Sequence, residues 1–307
     1  VYVCYPGIVI AAWLGLPFIR SRYRAIYLDA FISLYDTVIR DRRLLKPGQL
    51  AAKLLFALER KALATAASVI VDTPENADHY ASLFNVPAAR FQVVPLSIPP
   101  LASIGAAPTP AANSPLRCIF VGTFVPLQGV PVIVEAIRLL GDESGIEFVF
   151  VGDGQDAACL DAYIESRSAK NVTWHRGHFP TDFVAEQIQR ADVCLGVFGD
   201  AEKTRRVLPY KLYYYLALAM PVVTASGATS ERILAECARQ EVSPPLSVVP
   251  AGDAAALANA LSRLRDDRSG LAALGRAGRQ YYENALSAPV VERQLEALFE
   301  LTETADG

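Results

Sequence analysis

The sequence predicts an α/β protein whose parallel strands are buried between helices. Short runs of β-branched and aromatic residues recur along the chain, and most are apolar throughout instead of alternating with polar residues. Continuous apolar runs are typical of parallel strands that are covered on both faces. Helix-length segments with apolar residues every three or four positions lie between most of these runs, which predicts strands joined by crossover helices.

The runs predict the following strands in chain order: AIYLD (25–29), SVIVD (68–72), FQVVP (91–95), LRCIFVG (116–122), IEFVFVG (146–152), NVTWH (171–175), DVCLGVF (192–198), PVVTA (221–225) and LSVVP (246–250). The helical period is clearest in VIVEAIRLL (132–140) and ALANALSRLR (256–265). The stretch from Pro289 to Leu301 predicts one more amphipathic helix.

The first 19 residues carry no charged side chain. That length approaches a transmembrane helix, but Pro6, Gly7 and Pro17 interrupt the apolar run. We therefore predict a buried strand, a turn at Pro6-Gly7 and an apolar helix that ends near Pro17. A helix lying on a membrane surface is the alternative.

The composition excludes several classes of protein. A chain that is 52% hydrophobic and 20% charged is not intrinsically disordered. Its net charge of −3 gives no basic surplus for binding nucleic acid. The five cysteines are scattered without a CxxC pair, so neither a disulfide framework nor a zinc site is indicated, and we expect a reduced, cytoplasmic protein.

An uncharged segment rich in proline, alanine, serine and glycine, residues 97–115, is typical of a linker. It predicts an N-terminal domain over residues 1–96 and a doubly wound domain over residues 116–285. Because the chain begins with valine and its one methionine is Met220, we expect the N-terminal domain to be incomplete.

Ligands of doubly wound sheets bind beyond the carboxyl ends of the strands, so the loops there are the candidate sites. After strand 116–122, Gly122 and Gly129 flank a loop that can bring backbone N–H groups and a helix N-terminus to a phosphate. A plain turn explains this loop equally well. Gly152, Gly154 and Ala157 fit a loose dinucleotide fingerprint, but no acidic residue ends the next strand, so a simple helix-start turn is favoured.

The segment 201–223 carries the most informative pattern. Pro209 suits the first turn of a helix, and Lys211 then lies in that turn, where a cation opposes the helix dipole. Arg205 and Arg206 lie just upstream. Three cations at one helix start predict an anion site of the kind that a diphosphate needs, and a solvated basic loop is the alternative.

Other polar residues give weaker signals. Ser226 and Gly227 form a turn after strand 221–225, and Glu231 follows in the next helix, where a stabilising cap is the simpler interpretation. Asp29 ends strand 25–29 and Asp36 follows it; these carboxylates could hold sugar hydroxyls, or serve as caps and ion pairs. The sequence has no GxSxG or HExxH motif, and we predict no metal site.

These motifs resemble those of family 4 nucleotide-sugar glycosyltransferases, which have the GT-B architecture. The resemblance is carried by Gly122-Thr123-Phe124 with Gln128-Gly129, Gly152-Asp153-Gly154, Pro209 and Lys211 with Tyr214, Tyr215, Ala217, Ala219 and Pro221, and Gly227 with Glu231. It implies two Rossmann-like doubly wound domains facing a cleft, the first one truncated. It also implies that the terminal segment, residues 286–307, forms a helix that crosses back to the acceptor-side domain.

The resemblance implies transfer of a sugar from a nucleoside diphosphate sugar to a hydroxyl group, with retention and without a metal or other cofactor. The acceptor would be a glycan, a lipid-linked sugar or a small molecule. Gly122, Thr123, Arg205, Arg206 and Lys211 would stabilise the diphosphate, Glu231, Ser226 and Gly227 would lie near the sugar, and Gly177, His178 and Phe179 would lie near the base.

Three positions depart from the family pattern. Gln128 stands where the family has a lysine, Tyr214 where it has a glutamate, and Arg206 near its other glutamate. Two alternatives therefore stay open, an NAD(P)-dependent oxidoreductase and a catalytically weakened GT-B protein that binds a nucleotide or glycan. Peripheral contact with the inner face of a membrane is a further expectation from the apolar residues 1–19.

Overall fold

A computed structural model divides the chain into two compact units. Unit 1 comprises residues 1–96 and 288–307, and unit 2 comprises residues 97–287. Most of the predicted linker, namely residues 100 and 102–113, lies outside the residues that the structure describes. The described residues are 1–42, 44–99, 101, 114–142, 144–167 and 169–304.

Unit 1 is built on a four-stranded parallel sheet in the order β1-β2-β3-β4. The strands are β1 (Tyr2–Val3), β2 (Tyr27–Asp29), β3 (Ser68–Val71) and β4 (Phe91–Val93). The helices are α1 (Ile8–Leu14), α2 (Pro17–Arg20), α3 (Leu50–Thr65), α4 (Pro74–Phe84) and, from the C-terminal segment, α12 (Ala288–Thr304). The predicted order of strand, turn and short helix over residues 1–17 is found, but α1 ends at Leu14 and the strand is only half buried, since Tyr2 is 41% exposed.

The C-terminal helix α12 packs on this sheet. Val291 and Leu298 of α12 are buried together with strand residues Tyr27 and Ile70. The ring of Phe299 lies edge-on to Tyr27, with 4.9 Å between the ring centroids. Across the described residues, every helix is too short or too polar to cross a membrane.

Unit 2 is built on a six-stranded parallel sheet in the order β10-β9-β8-β5-β6-β7. The strands are β5 (Leu116–Val121), β6 (Ile146–Val151), β7 (Val172–His175), β8 (Val193–Leu195), β9 (Val222–Ala225) and β10 (Ser247–Val249). The helices are α5 (Val130–Leu140), α6 (Ala157–Arg167), α7 (Thr181–Gln189), α8 (Tyr210–Ala217), α9 (Ala228–Arg239), α10 (Ala254–Asp266) and α11 (Leu271–Ala285). The predicted α/β class with parallel sheets is confirmed.

The order of the strands in unit 2 creates a switch point. The chain runs outward from β5 through β6 to β7, returns to place β8 on the other side of β5, and then runs outward through β9 to β10. The connections that leave β5 and β8 therefore diverge, and they open a crevice at the carboxyl ends of these two strands. Ligands of doubly wound sheets bind in this crevice.

In unit 1, a buried carboxylate holds the segment that follows β2. Glu59 of α3 is 2% exposed and accepts hydrogen bonds from the N–H groups of Leu34 at 3.2 Å and Tyr35 at 2.7 Å. The chain then continues as a π-helical stretch, Asp36–Asp41. Burial raises the pKa of Glu59 to about 7 in spite of these hydrogen bonds, which favour the carboxylate.

We expect Glu59 to make stability fall as the pH rises. Its folded-state pKa lies above its ordinary value of 4.5, so the folded state holds the proton more tightly than the unfolded chain. The contribution of Glu59 to the free energy of unfolding is therefore fully present below about pH 4.5. It falls by on the order of 3 kcal/mol as the pH rises to about 7 and beyond. Urea unfolding of wild type and Glu59→Gln between pH 4.5 and 8 measures this contribution as the difference between the two curves. The exposed Glu296→Gln is the control, and a constant difference between wild type and Glu59→Gln would contradict the expectation.

Candidate functional site

A cavity of about 350 Å³ lies at the switch point of unit 2. Its walls come from the end of β5 and the loop that follows, from α7 and the residues before it, and from the first turns of α8. The lining residues are Val121, Gly122, Thr123, Gln128, Phe179, Thr181, Val184, Ile188, Pro209, Tyr210, Lys211 and Tyr214. The opening turn of α8 thus faces a cavity that is large enough for part of a nucleotide.

The glycine after β5 allows two polar side chains to approach the loop. Gly122 has a φ of +149°, and a Cβ atom there would lie 3.1 Å from the Nζ of Lys211 and 3.7 Å from the Oε1 of Gln128. The Gln128 Oε1 atom is itself buried and accepts no hydrogen bond from the described part of the chain. A ligand that enters here therefore meets an ammonium group and an unused hydrogen-bond acceptor.

Lys211 is buried in the first turn of α8, with 8% of its surface exposed. Its Nζ atom lies 3.6 Å from the centroid of the Phe120 ring and donates one long hydrogen bond, of 3.4 Å, to the carbonyl oxygen of Gly196. Burial lowers the pKa of Lys211 well below its ordinary value. Because the protonated form has so few partners in the interior, an anion bound beside it would stabilise the ammonium group and raise its pKa.

Aromatic rings form another wall of the cavity. Phe179 stacks on Phe183 with 4.7 Å between centroids, and Tyr210 meets Tyr214 edge to face at 5.5 Å. The hydroxyl of Tyr210 donates to the carbonyl oxygen of Ser97 at 3.3 Å. These contacts hold flat apolar surfaces beside the ammonium group. Such a wall suits a planar ring of a ligand.

The structure does not bring the three predicted cations into this cavity. Arg205 is exposed and lines a separate small cavity that it shares with Ser230. Arg206 is 5% exposed and lies outside the described lining of the Lys211 cavity. Arg205 is the last residue of a 3-10 turn, Glu202–Arg205, and residues 206–209 connect this turn to α8. Of the predicted cluster, only Lys211 reaches the described cavity wall.

Two glycines predicted to bind the nucleotide instead pack one loop on another. A Cβ atom on Gly152 would lie 2.0 Å from the carbonyl oxygen of Gly122, and one on Gly154 would lie 2.8 Å from the backbone nitrogen of Phe124. Phe124 is fully buried and stacks on Trp174. Phe124 is therefore closed off from a ligand, whereas Gly154 is exposed and is packed only on the side where a Cβ atom would stand.

Gly129 also serves the packing of the loop. It begins α5 with a φ of +71°, and a Cβ atom there would lie 2.3 Å from the backbone nitrogen of Gly199. The carbonyl oxygen of Gln128 accepts a hydrogen bond from Phe198 N–H at 3.1 Å. These contacts join the loops after β5 and β8, so Gly129 positions Gln128 without lining the cavity itself.

The residues expected near the sugar lie outside the described cavity wall. Gly227 caps α9, where its N–H donates to Ser230 Oγ at 2.9 Å and it packs against the backbone of Arg205. Ser226 donates its N–H to the carbonyl oxygen of Val249. Glu231 and His178 are exposed. Of the residues expected near the base, Phe179 lines the cavity.

The two acceptor-side carboxylates of unit 1 differ in exposure. Asp36 is 1% exposed, and its Oδ1 lies 3.5 Å from His79 Nε2 and 3.9 Å from Arg40 Nε. Direct contact of Asp36 with a sugar does not fit this burial. Asp29 ends β2, is partly exposed, and accepts the N–H of Phe31 at 3.4 Å. Burial raises the pKa of Asp29.

Residues 115–267 match the protein family described as glycosyl transferases group 1. The amylovoran biosynthesis glycosyltransferase AmsK of Erwinia amylovora is 27% identical over 196 residues, which cover 62% of this chain and 46% of that protein. The putative colanic acid biosynthesis glycosyltransferase WcaL of Escherichia coli K12 is 29% identical over 201 residues, covering 63% and 47%. The chain thus spans about half the length of these curated relatives.

Solved structures share the fold. Sucrose-phosphate synthase from Thermosynechococcus elongatus aligns over 99% of this chain and 73% of its own, with a TM-score of 0.74 and 18% identity. The Anabaena protein HepE in complex with UDP aligns over 96% and 76%, with a TM-score of 0.68 and 13% identity. The chain therefore has the fold of the GT-B glycosyltransferases, and its residues 115–267 resemble the glycosyl transferases group 1 family.

Proposed function

We propose that this chain transfers a sugar from a nucleoside diphosphate sugar to a hydroxyl group in glycan biosynthesis. The observation that carries the proposal is the buried ammonium group of Lys211 in the cavity at the switch point. The names of the two curated relatives, for amylovoran and colanic acid biosynthesis, support it. So does the Anabaena neighbour, which was solved with UDP and with UDP-glucose.

The cavity offers positive charge to the leaving group of this reaction. Negative charge grows on the leaving diphosphate as the glycosidic bond breaks, and fixed positive charge in a dry site stabilises it. Lys211 provides that charge, and the open backbone at Gly122 and Thr123 lets a phosphate approach it closely. A ligand hydroxyl donates to the buried Oε1 of Gln128, and the wall at Phe179 receives the base.

We further propose that transfer retains the anomeric configuration and needs no metal, as the family resemblance implies. The acceptor is a glycan, a lipid-linked sugar or a small molecule with a free hydroxyl. A cytoplasmic location is supported by the five cysteines, all of which are free thiols. The oxidoreductase alternative is not favoured, because the matching family and both curated relatives are glycosyltransferases.

The first experiment measures which ligands bind the full chain. Isothermal titration with UDP, GDP, ADP, inorganic pyrophosphate and NAD(P) tests the class of donor directly. We expect one nucleoside diphosphate to bind more tightly than pyrophosphate, and pyrophosphate to bind measurably. Tight NAD(P) binding with no response to the diphosphates would overturn the proposal.

Replacing Lys211 should weaken the binding of every diphosphate. A charge-assisted hydrogen bond contributes about 1.5–3 kcal/mol, so Lys211→Met should raise the Kd by roughly 10- to 150-fold. The melting temperature should stay the same or rise, because an apolar chain of similar length replaces a buried charge. Lys170 is exposed, and Lys170→Met is the matched control. If Lys211→Met bound pyrophosphate as tightly as the wild type does, Lys211 would not bind the phosphates.

Replacing Phe179 should weaken the binding of the base and leave the binding of the phosphates unchanged. Stacking of a base on an aromatic side chain is worth about 1–3 kcal/mol, so Phe179→Ala should weaken nucleoside diphosphate binding while pyrophosphate affinity stays within about twofold. The same two titrations measure both effects. If the variant lost affinity for both ligands equally, Phe179 would support the whole cavity instead of the base.

The stereochemistry and the metal requirement are tested together once a donor is known. We expect proton NMR of the first product to show the anomeric configuration of the donor. We also expect 5 mM EDTA, a conventional excess of chelator, to leave the rate unchanged, because Lys211 provides the counter-charge that a divalent cation supplies elsewhere. Inversion, or full loss of activity restored by Mg²⁺ or Mn²⁺, would exclude this part of the proposal.

A further inference from the structure

The cavity at the switch point has two ends of different chemistry. One end holds Lys211 Nζ and Gln128 Oε1, which lie 3.1 Å and 3.7 Å from the place that a Cβ atom on Gly122 would take. The other end is the aromatic wall at Phe179, which stacks on Phe183. In the proposed function the phosphates bind at the first end and the base binds at the second. The ribose joins the base to the phosphates, so it lies against the lining between them.

Two tyrosines of α8 belong to that lining. Tyr210 precedes Lys211, Tyr214 follows it by one helical turn, and both tyrosines line the cavity. Their rings meet edge to face with 5.5 Å between centroids. The hydroxyl of Tyr210 donates to the carbonyl oxygen of Ser97 at 3.3 Å, and burial together with a hydrogen bond to Tyr214 raises the pKa of Tyr210 to about 12. Both hydroxyls are thus engaged within the protein, and the rings are the surface that a ligand meets.

A ribose carries hydroxyl groups that need hydrogen-bond partners. In doubly wound nucleotide sites an aspartate or glutamate commonly accepts from the 2′-hydroxyl. The described lining of this cavity contains no carboxylate, and its buried, unused acceptor on Gln128 lies at the phosphate end. The hydroxyls of Thr123 and Thr181 belong to exposed residues. A 2′-hydroxyl against the tyrosine rings would therefore leave water without a partner, which costs free energy, whereas a 2′-deoxyribose has no such group.

The helix α7 lines the base end of the cavity with aliphatic side chains. Val184 and Ile188 both line the cavity and are four residues apart, so they lie on one face of α7. A base stacked on Phe179 therefore has aliphatic carbon atoms beside its edge. Thymine carries a methyl group on its edge, and apolar side chains are the usual contacts of that methyl group. The wall thus favours thymine over uracil.

We propose that the donor is a sugar linked to thymidine diphosphate (dTDP), whose nucleoside combines a 2′-deoxyribose with a 5-methylated base. This inference rests on the proposed function, because it names the donor of the same cavity. The tyrosine pair of α8 receives the deoxyribose, and the aliphatic face of α7 receives the methyl group. Lys211 and Gln128 contact the diphosphate and the transferred sugar, so they do not distinguish one nucleoside from another.

Four nucleotides separate the two features by isothermal titration of the full chain: UDP, dUDP, 5-methyl-UDP and dTDP. Removing the 2′-hydroxyl should tighten binding about fivefold or more, because no unpaired hydroxyl is then buried. Adding the methyl group should tighten it about fourfold. dTDP should therefore bind roughly 20-fold more tightly than UDP.

The same titrations distinguish a failure of this inference from a failure of the proposed function. UDP binding as tightly as dTDP, or GDP or ADP binding more tightly than dTDP, would overturn the inference and leave the proposed function standing. If neither these nucleotides nor pyrophosphate bound, the proposed function would fail and the inference with it.

Replacing Tyr214 tests the contact with the deoxyribose. Tyr214→Glu adds a carboxylate acceptor and should reverse the order, so that UDP binds more tightly than dUDP. Comparing the two Kd values cancels the repulsion between the new carboxylate and the phosphates, which both nucleotides share. Tyr214→Phe should keep the wild-type ratio of the two Kd values, because the ring and not the hydroxyl meets the ligand. Tyr23→Glu, at a partly buried tyrosine of unit 1, is the matched control. A wild-type ratio in Tyr214→Glu, or a loss of UDP affinity relative to dUDP in Tyr214→Phe, would reject the inference.

Replacing Val184 tests the contact with the methyl group. Val184→Thr exchanges one methyl group for a hydroxyl of similar size, so the preference for dTDP over dUDP should fall from about fourfold to none. The ratio of the Kd values of dUDP and UDP should stay the same. Val132→Thr, at a partly buried valine of α5, is the matched control. An undiminished preference for dTDP in Val184→Thr would overturn the recognition of thymine by α7.

Discussion

The main constraint on the cavity in unit 2 is that the amino group of Lys211 is buried away from water. Lys211 is held by the ring of Phe120 and by one long bond to Gly196, which together compensate little of the several kcal/mol that desolvating a cation costs. A methionine would pack in the same space without that cost. The position is thus poorly suited to stability and well suited to a ligand that brings its own negative charge. Lys211 thus lowers the stability of the fold while it favours ligand binding, a trade-off that is common at binding sites.

The position of that ammonium group is fixed by main chain packed on main chain. The carbonyl oxygen of Gly122 lies where a Cβ atom of Gly152 would be, and Gly129 meets Gly199 in the same way. Loops that approach so closely cannot shift independently, so the loops after β5, β6 and β8 move as one body. Most of the glycines in these loops therefore provide rigidity, whereas Gly122 provides room for Lys211 and for a ligand.

The sequence predicted the strands of both units because parallel strands are buried on both faces and leave continuous apolar runs. It predicted Lys211 because a cation in the first turn of a helix opposes the dipole. It also predicted Arg205 beside Lys211, but Arg205 ends a 3-10 turn and lines a different cavity, because nearness in sequence does not fix the direction of a side chain. Phe124 looked like a loop residue because its partner, Trp174, lies 50 positions away in the chain. The sequence of α7 shows helical periodicity, but it does not indicate which face of the helix lines a cavity, because that depends on the tertiary fold.

The lining also limits how a donor can be held. Among the described lining residues Lys211 is the one basic side chain, and a single charge-assisted bond of about 1.5–3 kcal/mol is only part of the roughly 8 kcal/mol of a micromolar complex. For the proposed nucleotide sugar, most of the affinity would then come from uncharged contacts, namely the aromatic wall and the acceptor on Gln128. Such contacts depend on the shape of the base and on the positions of hydroxyl groups, whereas a lysine binds any phosphate. Relative to the family pattern that the sequence resembles, Gln128 in place of lysine and Tyr214 in place of glutamate would therefore shift recognition of the proposed donor from its charge to its rings and hydroxyls.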